Sequence, residues 1–261
     1  MKDLENHLAT AVRHFWQTRA RQARKQKQAG KTDQGGRGAA TGGAQLDGFT
    51  ELVAHILRES GIPDFAIHRK RALELPGYFR PTKEWDLLVV KDRTLLACIE
   101  FKSHIGPSFG NNFNNRTEEA LGNATDLWTA YREGAFKPSQ RPWLGYFMLL
   151  EDTPRSTSPV KVKEPHFRVF EEFRDSSYTR RYEILCERLV RERLYDAACL
   201  ILSSRTAGLD GEYREPEEEL AFRPFVESLA ARAMAFARVR GGQFFDDGGA
   251  PGGRGAQAGA S

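Results

Sequence analysis

Thr94-Leu95-Leu96-Ala97-Cys98-Ile99-Glu100-Phe101-Lys102 is an apolar run broken near its end by two charges two residues apart. In a strand, positions i and i+2 point to one face. Glu100 and Lys102 therefore share a face, while Ile99 and Phe101 turn the other way, into a core. Upstream, Glu84-Trp85-Asp86 leads directly into Leu87-Leu88-Val89-Val90, a second apolar run headed by a carboxylate. Lys91-Asp92-Arg93 between the two runs suits a tight turn. Paired as a hairpin, the runs bring Asp86 to the same end and face as Glu100 and Lys102.

Working outward, Leu4, Leu8, Ala11, Val12, Phe15 and Trp16 recur at helical spacing and predict a helix over 4–28 with a basic, Gln-rich tail. Residues 29–44 are Gly-rich and read as a flexible loop, so the N-terminal helix (1–28) is joined through them to a main body over 45–240. Asp47 is the expected N-cap of a helix carrying Phe49, Leu52, Val53, Ile56 and Leu57, which stops at Gly61 and Pro63. A short strand is expected near Phe65–His68, and Arg69 to Arg80, with Pro76-Gly77, reads as a turn. Residues 103–116 are expected to form a polar, glycine-bearing loop. A helix should follow from Thr117 to Glu133, ended by Gly134. Trp143–Leu150 has a buried-strand pattern, and 151–176 is a long connection with three prolines. A helix over 178–194, a strand over 197–202 and a last helix entered at Pro224 and running to Arg240 complete the body. Residues 241–261 are Gly/Ala-rich and predict a disordered tail. Strands alternating with helices define an α/β fold with a mixed β-sheet flanked by helices.

At 261 residues, with 40% hydrophobic and 11% aromatic content, the chain can bury a sizeable core. A net charge of +4 permits a nucleic-acid partner without demanding one. Cys98, Cys186 and Cys199 sit in apolar or helical patterns with no C-x-x-C pair, which argues for buried thiols in a reducing compartment. There is no H-E-x-x-H or Cys/His zinc spacing. No apolar run has the length of a membrane span, and Met-Lys-Asp-Leu-Glu is not a signal peptide. The expected location is cytoplasmic.

Two carboxylates and a lysine held on rigid strands suit metal-dependent cleavage of a phosphodiester. Magnesium takes oxygen ligands, keeps several waters, and needs only one or two carboxylates plus a phosphate oxygen. Asp86 and Glu100 can supply those oxygens, and Lys102 can orient or help deprotonate the attacking water and offset charge on the pentavalent transition state. D…E-x-K alone also describes an ordinary edge strand with solvated charges. The apolar density of Leu95–Phe101 and the polar stretch after Lys102 favour the catalytic reading. Glu51, on the preceding helix, is a candidate further metal carboxylate; its ordinary reading is a solvent-facing helical Glu.

Asp86…Glu100-Phe101-Lys102 resembles the PD-(D/E)xK nuclease motif. Around it, Leu75 to Val90 (LPGYFRPTKEWDLLVV) and Glu100 to Arg116 (EFKSHIGPSFGNNFNNR) are similar to the XhoI family of type II restriction endonucleases, as are Phe167 to Arg174 and Ser177 to Leu185. The resemblance runs from the first helix to about residue 240 and excludes the tail. It assigns the metal-binding acid to Asp86, the second acid to Glu100 and the lysine to Lys102. Trp85 stands where the proline that names the motif belongs, and the nearest proline is Pro81. The resemblance implies the PD-(D/E)xK restriction-endonuclease-like core and a Mg2+-dependent homodimer. Such an enzyme cuts both strands of duplex DNA at the palindrome 5′-CTCGAG, after the first C, with a cognate DNA methyltransferase as a functional rather than physical partner.

A palindrome fits a two-fold dimer in which each subunit reads a half-site. The expected DNA contacts are Ser103, His104, Ser108, Asn111, Asn112, Asn114, Asn115 and Arg116 in the stretch after Lys102, together with Arg69, Lys70 and Arg71 in a compact basic run suited to phosphates. The ordinary readings are a capped loop for the first group and a solvated strand end for the second. For His104 alone, a loop residue without special role is the stronger reading. Two alternatives stay open: a repair or recombination nuclease of the same fold, and a DNA-binding module without activity.

Overall fold

The structure, a computed structural model, describes residues 3–28 and 43–241. Residues 29–42 of the expected linker (29–44) and 242–261 of the expected tail (241–261) lie outside the described residues, whereas residues 43–44 enter a 3-10 turn over Gly43–Gln45 and Gly241 ends the last helix. Helix α1 spans Leu4–Gln28 and α2 Asp47–Glu59. Strands β1 (Ile67–His68), β2 (Glu74–Pro76), β3 (Thr82–Glu84), β4 (Leu87–Lys91) and β5 (Thr94–His104) follow. Then come α3 (Phe109–Arg132), β6 (Trp143–Glu151), the one-turn α4 (Pro154–Thr157), α5 (Tyr178–Arg191), β7 (Ala197–Ser203) and α6 (Phe222–Gly241).

The main sheet has the order β1-β4-β5-β6-β7. Its first two pairings are antiparallel and the last two parallel. The β4–β5 hairpin forms as its sequence predicts. Asp92 and Arg93 both take positive φ (50° and 58°), the conformation of a two-residue turn whose twist matches the flanking strands. Leu96 is accommodated by a register shift between Val89 and Val90. Beyond it, Ile99 and Phe101 enter a core shared with Phe15 of α1, Phe49 and Leu57 of α2 and Phe225 of α6. The opposite face of β5 looks toward α3 and α5, where Cys98 packs with Leu127, Tyr146, Met148 and Tyr182. All of β6 is buried, as a parallel strand covered on both faces must be. The N-terminal helix belongs to the first core: Leu8, Val12, Phe15 and Trp16 are buried, and the Trp16 indole N–H donates to Ser203 Oγ at 2.9 Å. All three cysteines are buried thiols.

Four departures from the sequence reading bear on the site. Residues 103–116 are not a loop: β5 continues through His104 and α3 begins at Phe109. The four asparagines at 111, 112, 114 and 115 each cost a helix about 0.6 kcal/mol relative to alanine. Phe109 and Phe113 offset this by docking on α5. Phe109 stacks on Tyr178 (5.6 Å between centroids) and Phe113 meets Tyr182 edge-on (5.1 Å), and a buried ring contributes roughly 2 kcal/mol. Packing therefore outweighs propensity. Second, the segment expected as a simple turn contains the antiparallel β2–β3 hairpin, paired from Glu74↔Glu84 to Pro76↔Thr82. Third, Asp47 is the first helical residue of α2 rather than its cap; Leu46 holds the cap position without a side-chain bond. Fourth, Phe65 lies outside the short strand, in a 3-10 turn over Asp64–Ala66.

Candidate active site

The register Leu87↔Ile99, continued by one residue, sets Asp86 opposite Glu100 on neighbouring strands. The Phe101 amide donates to Asp86 Oδ2 at 2.8 Å, fixing the carboxylate against β5. Glu100 is 1% exposed, and Asn123 Nδ2 from α3 donates to both its oxygens at 2.9 and 2.8 Å. Lys102 Nζ lies 2.6 Å and Lys83 Nζ 3.4 Å from Glu100 Oε1. Lys83 comes from β3, sits 4.6 Å from the centre of the Trp85 ring, and donates to the Glu84 carbonyl. Two carboxylates thus face two ammonium groups in a largely desolvated pocket.

Burial works against the Glu100 charge, but Lys102, Lys83 and the Asn123 amide outweigh it and hold its pKa below the ordinary glutamate value. Burial dominates at Asp86 and raises its pKa, against the pull of Lys102 and the Phe101 amide. Lys102 is also desolvated, yet Glu100 and Asp86 keep its pKa above the usual lysine value, so it is a cation. Among the described residues Asp86 Oδ1 accepts no hydrogen bond, and no group of three or more His, Cys, Asp or Glu is arranged to hold a metal. A desolvated, under-compensated carboxylate beside a second one offers hard oxygen donors in the small number that magnesium requires. It does not offer the three or four protein ligands of a zinc site. The residues present fit a hard divalent cation.

Glu51 is not brought to this pair: its carboxylate bonds Arg69 Nε at 2.8 Å. Arg69 is therefore engaged by Glu51 and, at 3.1 Å, by Asp64, and does not project as a phosphate ligand; Lys70 and Arg71 are exposed. His104 is a correction. As the last residue of β5 it is 1% exposed, Nδ1 lies 2.8 Å from the Tyr182 hydroxyl, and its ring packs on Phe109. Burial, helped by Arg116, pushes its pKa down to about 4, so it is a neutral core residue out of reach of a duplex. Ser103 is half-buried on β5 and Ser108 is exposed at the N-cap of α3, where its side chain makes no capping bond. Asn111, Asn114 and Asn115 form one exposed stripe on the first turns of α3, and Asn112 is half-buried. Arg116 is half-buried and paired with Glu119 at 2.5 Å. A cleft of about 350 Å³ at the N-terminus of α3 is lined by Ser108, Asn111, Arg155 and Tyr178.

Sequence reasoning missed Lys83, Asn123, Arg80 and Asp126. Arg80 Nη2 donates to Asn123 Oδ1 at 2.6 Å, and its Nε donates to Asp126 Oδ2 at 2.8 Å. The signal for two of them was legible: Asn123 and Asp126 stand beside Ala120, Ala124 and Leu127 on the buried face of α3, where polar residues need partners. Lys83 and Arg80 carried no such mark, because the hairpin that delivers them was not foreseen.

Two strand-borne carboxylates and a lysine in one desolvated pocket are groups that hydrolysis of a phosphodiester can use. The model of the restriction endonuclease XhoI family matches residues 25–215. Over 218 residues, 82% of this chain and 97% of the relative, the sequence is 54% identical to the type II restriction enzyme BstVI of Geobacillus stearothermophilus. It is 54% identical over 169 residues to AbrI of Azospirillum brasilense (64% of this chain, 76% of the relative) and 44% identical over 181 residues to XhoI of Xanthomonas vasicola (69% and 72%), both type II restriction enzymes. No solved structure matches the chain. The chain belongs to the XhoI family of restriction endonucleases.

Proposed function

We propose that the protein is a Mg2+-dependent type II restriction endonuclease of the PD-(D/E)xK kind, acting in the cytoplasm as a homodimer. It hydrolyses one phosphodiester in each strand of 5′-CTCGAG, after the first C. The observation that carries this reading is the convergence of Asp86, Glu100 and Lys102 on adjacent strands of a chain from this family. The 44% identity to the type II restriction enzyme XhoI supports the site.

Asp86 and Glu100 would hold the magnesium ion. When bound, the ion polarises the phosphate and lowers the pKa of its water. Lys102 donates hydrogen bonds only, so as a cation it orients the attacking water through the water's lone pair and offsets charge gathering on the phosphate oxygens. Asn123 fixes the Glu100 carboxylate, and Lys83 keeps it ionised. Water attacks phosphorus in line with the leaving oxygen, one P–O bond forming as the other breaks. The exposed stripe Asn111, Asn114 and Asn115, with Ser108 and the half-buried Ser103, Asn112 and Arg116, would face the duplex. Lys70 and Arg71 would contact its phosphates.

Digesting a plasmid bearing one CTCGAG sequence, with Mg2+ and the ends sequenced, tests the reading. A single linear product cut after the first C in both strands is expected. A discrete cut at another sequence would overturn the recognition site alone. Ladders or resected ends would replace the reading with a repair-type nuclease, and duplex binding without cutting would replace it with an inactive binding module.

A further inference from the structure

The tip of the β2–β3 hairpin, Gly77-Tyr78-Phe79-Arg80, holds two aromatic rings in water. Tyr78 is 54% and Phe79 70% exposed, with ring centres 5.1 Å apart in an edge-on pair. Exposed rings on a loose loop would mean little. This loop is held at three points by one buried carboxylate. The Tyr78 and Phe79 amides donate to Asp126 Oδ1 at 2.7 and 2.8 Å, and Arg80 Nε donates to Asp126 Oδ2 at 2.8 Å. Burial opposes the Asp126 charge, but those two amides and Arg80 keep it ionised. Gly77 completes the fit: a Cβ there would lie 2.5 Å from Asp126 Oδ2 and 2.7 Å from the Arg80 carbonyl. The rings are pre-positioned, not drifting.

Their position is set by the reaction centre. Arg80 is bonded to Asn123 Oδ1, and Asn123 Nδ2 to Glu100. Two hydrogen bonds and one amide separate the tip from the metal-binding acid. Charge indicates the occupant. The segment leading into the hairpin carries Arg69, Lys70 and Arg71, while the hairpin itself balances Arg80 and Lys83 against Glu74 and Glu84. Lys70 and Arg71 are exposed, and the Arg80 side chain is 42% exposed. Flat apolar rings on a hairpin entered from an exposed basic run match stacked bases within a phosphate backbone. They match an acidic or apolar protein surface less well.

We propose that Tyr78 and Phe79 form a wedge that presses on a base step of the bound duplex beside the scissile phosphate. This rests on the nuclease reading above. The Asp126–Arg80–Asn123 chain fixes the distance between wedge and Glu100, so the step that is probed and the phosphate that is cut are held in one register.

The test uses the full-length protein and a duplex containing CTCGAG, with the fluorescent base 2-aminopurine substituted at each adenine in turn, inside and flanking the site. Wild type, without Mg2+, should raise the fluorescence at one position through unstacking. Tyr78→Ser/Phe79→Ser should abolish that rise and lower kcat/KM with Mg2+ by about tenfold or more, since losing base–aromatic stacking is worth about tenfold per ring. Its melting temperature and oligomeric state should stay unchanged. Tyr78→Phe/Phe79→Tyr should restore the fluorescence. A serine variant that cuts and fluoresces like wild type overturns the wedge while the nuclease reading stands. So does one that loses only its subunit association, which would make the tip a protein contact. Wild type that neither binds nor cuts this duplex and cuts no other sequence in a plasmid refutes the nuclease reading itself, and the wedge with it.

Discussion

Replacing Asn123 with alanine removes the amide that bonds both oxygens of Glu100 and accepts from Arg80. The two ends of that amide are unequal. The Arg80 side chain is 42% exposed, so water replaces the lost acceptor at small cost. Glu100 is 1% exposed, and water does not readily reach it. A hydrogen bond to a charged group contributes about 1.5–3 kcal/mol. Lys102 and Lys83 still compensate part of the charge, so a loss of about 2 kcal/mol of folding stability is expected, read as a lower urea midpoint. The effect on cleavage follows from orientation: unheld, the carboxylate samples rotamers away from Asp86. Partners that orient metal ligands cost about 10–100-fold in affinity or activity when removed. The assay is kcat/KM on a duplex across a magnesium titration, where Asn123→Ala should need more metal for half-maximal rate. Asn123→Asp should be worse, because it sets a further carboxylate, in addition to Asp86, against Glu100. If Asn123→Ala cuts within about twofold of wild type at every magnesium concentration and unfolds at the same urea midpoint, the positioning role is wrong.

Lys102→Ala should lower kcat by about 10²–10⁴-fold, and Asp86→Ala should abolish cutting, while metal-free duplex binding by both stays close to wild type in an anisotropy titration. Lys83→Met removes one of the cations that hold the Glu100 pKa down, so the acid limb of the pH profile of kcat/KM should move to higher pH; an unmoved limb would place Lys83 outside the field of the site. Asp126, with a folded pKa below its ordinary value of 3.8, contributes stability that is fully present above that value and lost as pH falls through the folded pKa. Asp126→Asn should therefore melt lower than wild type at neutral pH, with the gap narrowing as pH falls below the ordinary value and through the folded pKa of Asp126. Asp86, whose pKa is raised, titrates with the opposite sign, so the single variant, compared with wild type at each pH, is what isolates Asp126.

The strand pair that carries Asp86, Glu100 and Lys102 was legible because its signal is local. Alternation over Thr94–Lys102 separates Ile99 and Phe101 from Glu100 and Lys102 without reference to anything distant. The Lys91-Asp92-Arg93 turn fixes the register that carries Asp86 back to Glu100. The stretch after Lys102 misled for the opposite reason. Its asparagines and glycines report intrinsic preference, whereas Phe109 and Phe113 report packing, and nothing local says that Tyr178 and Tyr182, far along the chain, wait to receive those rings.

From the sequence by itself come the α/β class, the hairpin with its two acids and lysine, the buried cysteines and aromatic core, and the family resemblance that the comparisons bear out. All of these depend on periodicity or on contiguous residues. Tertiary structure alone decided who surrounds Glu100. Asn123 lies 23 residues further along the chain and Lys83 17 residues before it. Only the docking of α3 and of the β2–β3 hairpin brings both onto one carboxylate. It also buried His104 and tied Glu51 to Arg69. The physical reason is the dielectric. A charge on a strand reads the same in sequence whether it meets water or a desolvated pocket, and burial by distant segments determines which partners it must have.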